Sequence, residues 1–253
     1  MIDLHSHVLP GVDDGCRTLE QSIDLARAAA ADGIRVLAAT PHVRSDFPTE
    51  PETMERLVAE VRAAVAAEGI ELEVLPGGEL ALDRLDLLPL DEARRFGLGG
   101  NDAVLLVEFP YAGWPLGLED RLFRLRAAGV TPVLAHPERN VEVQARPARL
   151  APLVAAGTLV QVTAASLEGR LGRSSRAAAH ALLEAGLVHL LASDAHTPDV
   201  RRVGLSGAAA AVGDEALAAW LTEEVPAAIV AGERLPERPA ARRRRRRWPL
   251  RRV

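Results

Sequence analysis

Short, nearly uninterrupted apolar runs alternate along the chain with longer stretches in which apolar residues recur every three or four positions. The runs are Ile2–His7, Arg35–Thr40, Leu72–Gly77, Ala103–Glu108, Thr131–Ala135, Leu159–Thr163 and Val188–Ala192. Runs of this length, apolar on both faces, predict strands of a parallel sheet covered on both sides. The stretches between them predict helices over Leu19–Asp32, Pro51–Glu68, Leu118–Ala128, Arg149–Ala156 and Ser174–Ala185. Thr18 is placed to cap the first, and Pro51 stands at an early helical position in the second. Asp32-Gly33, Ala128-Gly129, Ala156-Gly157 and Ala185-Gly186 each precede an apolar run, the order expected for helix, tight turn and buried parallel strand.

Strand–helix alternation repeated about seven times predicts an α/β fold, as a (β/α) barrel or a doubly wound sheet. The barrel is the better reading. Polar residues able to do chemistry sit at the C-terminal end of nearly every run, and a barrel gathers all those ends on one face. An open sheet gathers only the ends near its switch point. The alternation belongs to residues 1–235; residues 236–253 are rich in Arg and Pro and are expected to form a disordered tail.

Composition changes this picture in three ways. Of 253 residues 48% are hydrophobic but only 3% aromatic, so the core must be built from Leu, Val, Ile and Ala. The net charge of −5 includes the Arg-rich tail, so the body is more acidic than the total. An acidic body argues against nucleic-acid binding and suits a protein that holds several cations. The tail itself reads as solubilising, with weak contact to an anionic membrane or acidic partner kept open by Trp248 and Leu250 within the basic run. The single cysteine, Cys16, excludes an internal disulfide, and the basic residues are all Arg. The chain opens on a strand-like segment with no leader pattern and carries no run long enough to span a membrane, so a cytoplasmic location is expected.

The candidate chemistry lies at the strand ends. Residues two apart in a strand face the same side, so His5 and His7 point together into the mouth. Thr40-Pro41-His42 closes the second run, Gly77-Gly78-Glu79 the third, Glu108 the fourth and His136 the fifth, and Asp194 and His196 follow the seventh. Five of the seven histidines stand at such ends, whereas hydrogen-bonded structural histidines would scatter as His180 and His189 do. Asp13 and Asp14 add carboxylates in the loop after the first run. Imidazoles and carboxylates in this number exceed what one ion needs and imply a cluster of divalent metal ions. Such clusters favour phosphate-ester hydrolysis, by acidifying a water and holding the phosphoryl oxygens. Arg139, just past His136, and Arg201 and Arg202, past His196, are guanidinium candidates for the phosphate.

Asp3-Leu4-His5-Ser6-His7, Pro10-Gly11-Val12-Asp13-Asp14-Gly15, Ala39-Thr40-Pro41-His42, Gly78-Glu79, Val107-Glu108-Phe109-Pro110, Ala135-His136-Pro137-Glu138-Arg139 and Ser193-Asp194-Ala195-His196 occur in that order. Together they resemble the polymerase-and-histidinol-phosphatase (PHP) superfamily, and within it the CpsB-like protein-tyrosine phosphatases of bacterial capsule and exopolysaccharide systems. The resemblance runs from residue 1 to about 205. It implies a distorted (β/α)7 TIM-like barrel and three metal ions, with manganese first and iron or zinc as options. His5, His7, Glu79 and Asp194 would hold one ion. Glu79 would bridge to a second, held also by Glu108 and His136. His42, His196 and either Asp13 or Asp14 would hold the third. Arg139 and Arg201 would bind the phosphate of a phosphotyrosine on an autophosphorylating bacterial tyrosine kinase, and Cys16 would be a bystander. The chain departs from the family at Val203, where an aromatic is usual, and over Thr197-Pro198-Asp199-Val200.

Three other functions fit parts of the sequence. A PHP small-molecule phosphatase, on a substrate like histidinol phosphate, or a phosphodiesterase keeps the same barrel and metals. Short loops around the mouth favour an exposed phosphoprotein side chain over an enclosed small molecule. A non-catalytic scaffold does not need an intact ligand set, and an amidohydrolase-type barrel does not need paired Arg at the mouth.

Overall fold

The computed structural model describes residues 1–197 and 202–240. Its strands are β1 (Ile2–Ser6), β2 (Val36–Ala39), β3 (His42–Arg44), β4 (Phe47–Pro48), β5 (Glu73–Leu75), β6 (Glu79–Ala81), β7 (Val104–Glu108), β8 (Thr131–Ala135), β9 (Leu159–Thr163) and β10 (Leu190–Ala192). They pair in two ladders, β1-β2-β5 and β10-β9-β8-β7-β6-β3-β4, parallel throughout except for the β3-β4 hairpin. The ladders share two strand paths. β2 and β3 are halves of a path bent at Thr40-Pro41, and β5 and β6 are halves of a path bent at Pro76-Gly77-Gly78. The last path meets the first through single bonds: the His7 amide donates to Ala195 O at 2.8 Å and the Asp194 amide to His5 O at 2.9 Å. Seven strand paths thus stand in the order of a (β/α)7 barrel, with the β1–β10 seam spanned by single bonds and joined by no ladder among the described residues.

The bends correct the sequence reading. His42 and Glu79 do not end their strands; each opens a second short strand, and the two are register partners in the β3-β6 pair. Pro41 has no amide to donate to the ladder, but its carbonyl accepts from the Glu79 amide at 3.0 Å. Gly78 is required at the other bend, where a Cβ would lie 2.6 Å from the Phe96 ring.

Helices Leu19–Ala31, Pro51–Ala67, Leu118–Ala127 and Arg173–Glu184 fall within a residue of the predicted bounds. The expected helix over 149–156 is instead a 3-10 turn, Pro147–Leu150, running into a short helix, Ala151–Ala155. Pro152 near its start lacks the amide that a continuous helix needs. Past the last strand, helices Ser206–Val212, Glu215–Ala219 and Val225–Ala231, with a wide turn at Trp220–Glu224, bury Leu221, Val225 and Ile229 beside β1 and β10. The core is aliphatic as composition demands: Leu4, Leu37, Leu105, Leu106, Val133 and Val160 are fully buried, each stabilising by about 1.5–3 kcal/mol.

Residues 236–240, assigned by pattern to the tail, pack against the body. Arg238 donates to Val188 O at 2.8 Å and Leu183 O at 3.1 Å, and the Trp220 indole donates to Pro236 O at 3.1 Å. The rest of the Arg-rich segment, 241–253, lies outside the described residues, as does Arg201. Among the described residues no helix is long and apolar enough to cross a membrane.

Candidate functional site

The barrel mouth brings together nine of the twelve residues that the resemblance assigns to metal or phosphate. Ligand-type atoms converge in four overlapping groups: His5, His7 and Asp194; His5, Glu79 and His136; His42, Glu79 and Glu108; and His7, Asp14, His42 and His196. Glu79 is the hub, fully buried on β6. Its Oε1 lies 2.7 Å from His136 Nε2, and its Oε2 lies 3.4 Å from His5, 3.5 Å from His7 and 3.0 Å from His42.

The remaining three residues stand apart from those groups. Arg201 is not described. Asp13 is occupied otherwise: its Oδ2 meets His7 Nδ1 at 2.7 Å and accepts from the His42 amide at 3.0 Å, while its Oδ1 accepts from the Gly15 amide at 2.9 Å. Gly15 permits this tight loop, since a Cβ there would lie 2.2 Å from His7 O. Asp14, by contrast, turns its Oδ1 to His42 Nε2 at 3.3 Å and His196 Nε2 at 3.2 Å. Of the two aspartates left open by sequence, Asp14 is the one in the cluster. The third, Arg139, lies beside the cluster, donating through Nη1 to Asp194 Oδ2 at 2.7 Å with its guanidinium 4.5 Å over the Tyr111 ring.

Tautomers follow from these bonds. Asp13, the Gln161 side-chain carbonyl and the Asp194 backbone carbonyl are acceptors only, so His7, His5 and His196 must each donate from Nδ1, at 2.7, 3.1 and 3.0 Å. Each then presents a bare Nε2 to the cluster, the arrangement by which outer partners orient metal-binding imidazoles. His136 and Asp194 are the two non-glycine residues at positive φ among the described residues, +38° and +52°. Both turn their side chains inward at strand ends at the expense of backbone strain.

The electrostatics is that of charges forced together. Burial raises the cost of ionising Glu79, but the attraction of His5 and His136 outweighs it and holds the carboxyl well below the usual range. Asp194 is likewise held down by His5 and His7 against its burial. Burial opposes protonation of His42, yet the Asp14 and Glu79 carboxylates push it up to about 9. Glu108 goes the other way, raised by burial and by repulsion from Glu79, although Arg44 donates to it at 3.0 Å.

Divalent metal ions fit this donor set. His5 Nε2, His7 Nε2, His42 Nδ1 and Glu79 Oε2 are buried within 3.0–3.5 Å of neighbouring site atoms yet make no hydrogen bond. Orphaned buried lone pairs aimed at a common space are costly unless a cation meets them.

Several residues of the site escaped the sequence reading. Gln161 supports His5 and also accepts from the His136 amide at 3.2 Å. Its signal was a lone amide within the apolar run Leu159–Thr163. Asp3 accepts from the Ser193 amide at 3.0 Å and ties the first strand to the last. Arg44 and Tyr111 had no signal beyond lying near strand ends.

The family described as capsular polysaccharide synthesis, CpsB/CapC, matches residues 1–223. Over 203 residues the chain is 39% identical to tyrosine-protein phosphatase YwqE of Bacillus subtilis, covering 79% of each. It is 31% identical over 209 residues to tyrosine-protein phosphatase CpsB of Streptococcus agalactiae serotype III, covering 79% of this chain and 85% of that one. A solved structure from work on YwqE of Bacillus subtilis and CpsB of Streptococcus pneumoniae, described as metal-dependent tyrosine phosphatases, superposes with a TM-score of 0.84 at 34% identity. It covers 96% of this chain and 100% of that one.

Proposed function

The chain belongs to the CpsB/CapC family of capsular polysaccharide synthesis proteins, and from that premise we propose that it is a metal-dependent protein-tyrosine phosphatase. The observation that carries the reading is the convergence of His5, His7, Asp14, His42, Glu79, Glu108, His136, Asp194 and His196 around orphaned lone pairs, with the Arg139 guanidinium beside them. These nine are the ligands we assign, to a cluster of three ions, manganese first. When bound, the ions supply positive charge to the phosphoryl oxygens and acidify a water.

The chain's own residues do the rest. Glu79 and Asp194, held ionised, supply the negative charge that a multication site needs. Asp13, Gln161 and the Asp194 carbonyl fix three imidazoles with Nε2 inward. Arg139 binds the phosphoryl group: one Nη1 donation to Asp194 and the Tyr111 ring hold the plane of the guanidinium and leave further N–H donors for phosphate oxygens. Arg201, outside the described residues, is the second phosphate contact by its place after His196. The bond broken is the one from phosphorus to the tyrosine oxygen, with water supplying the new oxygen. Cys16 is not the nucleophile; it is buried, and burial pushes its thiol up to about 11. The substrate is a phosphotyrosine on a capsule-system tyrosine kinase, met in the cytoplasm.

The test is phosphate release from a tyrosine-phosphorylated peptide, with histidinol phosphate alongside, by metal-stripped chain before and after manganese. Release from the peptide only after manganese is the expected result. Release from histidinol phosphate alone would move the chain to a small-molecule phosphatase.

A further inference from the structure

A groove of about 450 Å³ opens beside the cluster and takes no part in the chemistry above. Ala81 and Leu82, at the end of β6, and Pro110, Ala112 and Trp114, in the loop after β7, line it. Glu108 lines it too, so the groove is continuous with the site. The volume lies within the range of about 300–1,000 Å³ typical of ligand clefts.

The loop that forms one wall is fixed in place. Asn140 Nδ2 donates to Pro110 O at 2.6 Å and Gly113 O at 2.9 Å, and the Val141 amide to Tyr111 O at 3.0 Å. Trp114 donates to Glu119 at 3.2 Å, lies under Arg149 at 4.0 Å and meets Phe109 edge-on at 5.6 Å. A wall held from so many directions is already ordered before anything binds, which lowers the entropy cost of binding. The same loop leaves apolar surface in solvent: Tyr111 is 44% exposed and Leu116 91%. Exposed apolar surface gathered at the rim of a polar site marks a place where another molecule is covered.

Charge narrows the occupant. Asp83 gives the groove a carboxylate, while the cation lining it, Arg121, is already paired with Asp86 at 2.8 Å. We propose that this groove is the subsite for the polypeptide flanking the phosphotyrosine, seating an apolar side chain against Leu82 and Trp114 and disfavouring an acidic one. The proposal rests on the phosphatase reading and adds its sequence preference. An extended peptide advances about 3.3–3.6 Å per residue, so a groove that begins at Glu108 meets residues within three positions of the phosphotyrosine.

The experiment uses the full chain loaded with manganese and phosphotyrosine peptides of Ala/Gly background. One Leu or one Asp is placed in turn at each of the three positions on either side, with p-nitrophenyl phosphate as a substrate too small to reach the groove. At one or more positions Leu should exceed Asp by about tenfold in kcat/KM, the effect of burying one such side chain. The same order should appear in binding of fluorescent peptides carrying difluoromethylphosphonate in place of phosphate, read by anisotropy without turnover. Ala112→Arg, at an exposed position of the wall, puts a cation beside the groove and should reduce the Leu-to-Asp ratio several-fold. Equal use of all peptides, or an undiminished ratio in Ala112→Arg, overturns the groove and leaves the phosphatase standing. Hydrolysis of no substrate, p-nitrophenyl phosphate included, overturns the phosphatase reading and the proposal with it.

Discussion

Glu79 and Glu138 are both completely buried at the barrel mouth, yet they are driven to opposite states. Glu79 faces imidazoles of His5, His42 and His136 and is held ionised. Glu138, two residues beyond His136, faces neutral donors: the Ser166 hydroxyl at 2.6 Å and the Thr163 amide at 3.1 Å, both on Oε1. Burial there pushes its carboxyl up to about 7, and Oε2 has no partner. Burial is common to both, so the difference lies in the charge of the neighbours. A barrel mouth can hold one carboxyl as a ligand and another as a strut by that choice alone.

The sharpest way to break the contrast is Glu79→Gln, which keeps the shape and removes the charge. Phosphate release from a phosphotyrosine peptide with manganese present should fall by about a thousandfold or more; turnover within tenfold of the parent would remove Glu79 from its central place. Glu138→Gln should instead act on stability. The folded value of Glu138 is raised above the unfolded one, so its contribution is full below about pH 4.5 and lost as pH rises through about 7. That loss is roughly 3 kcal/mol, and it should be absent from the Gln variant. Urea midpoints of the two metal-free chains at pH 5 and pH 8 measure it, and parallel pH profiles would refute the assignment.

Arg139 touches both halves of the contrast, since its charge reaches Glu138 and its Nη1 holds Asp194. Arg139→Lys keeps the charge and loses the fork, so kcat/KM should fall about a hundredfold, with metal content by atomic emission unchanged. Asp13→Asn gives the smallest effect. It leaves the cluster intact but weakens the partner of His7 Nδ1, and manganese affinity should fall about 10–100-fold. Chelator competition reads this, and Asp14→Asn in the same assay should lose more.

Much of the barrel and most of the cluster were legible because both rest on local pattern. Apolar runs fixed the paths of β7, β8 and β9 nearly to the residue, and histidines at run ends marked the mouth. What was not legible depends on contacts remote in sequence. Pro41 and Gly77-Gly78 looked like strand ends, but the chain resumes pairing beyond them because Glu79 and His42 find each other across the bend. Asp13 and Asp14 are chemically alike, and only the position of His7 Nδ1 separates them. The left-handed turns at His136 and Asp194 have no signature, since neither residue type requires one. Arg238 reads as tail by composition and is anchored by two carbonyls that no pattern near it announces.

The seam between residues 3–7 and 193–195 has a consequence in time. It is made by a handful of single bonds between stretches about as far apart in sequence as the described barrel allows, among them Asp3 to the Ser193 amide and His7 to Ala195. Loop closure over such a span comes late, after the local strand and helix pairs that reward the chain sooner. The first strand carries His5 and His7, and the last delivers Asp194 and His196, so the cation cage is completed only at that closing event. A refolding chain should therefore recover its secondary structure and bury its tryptophans before it can take up a stoichiometric complement of manganese.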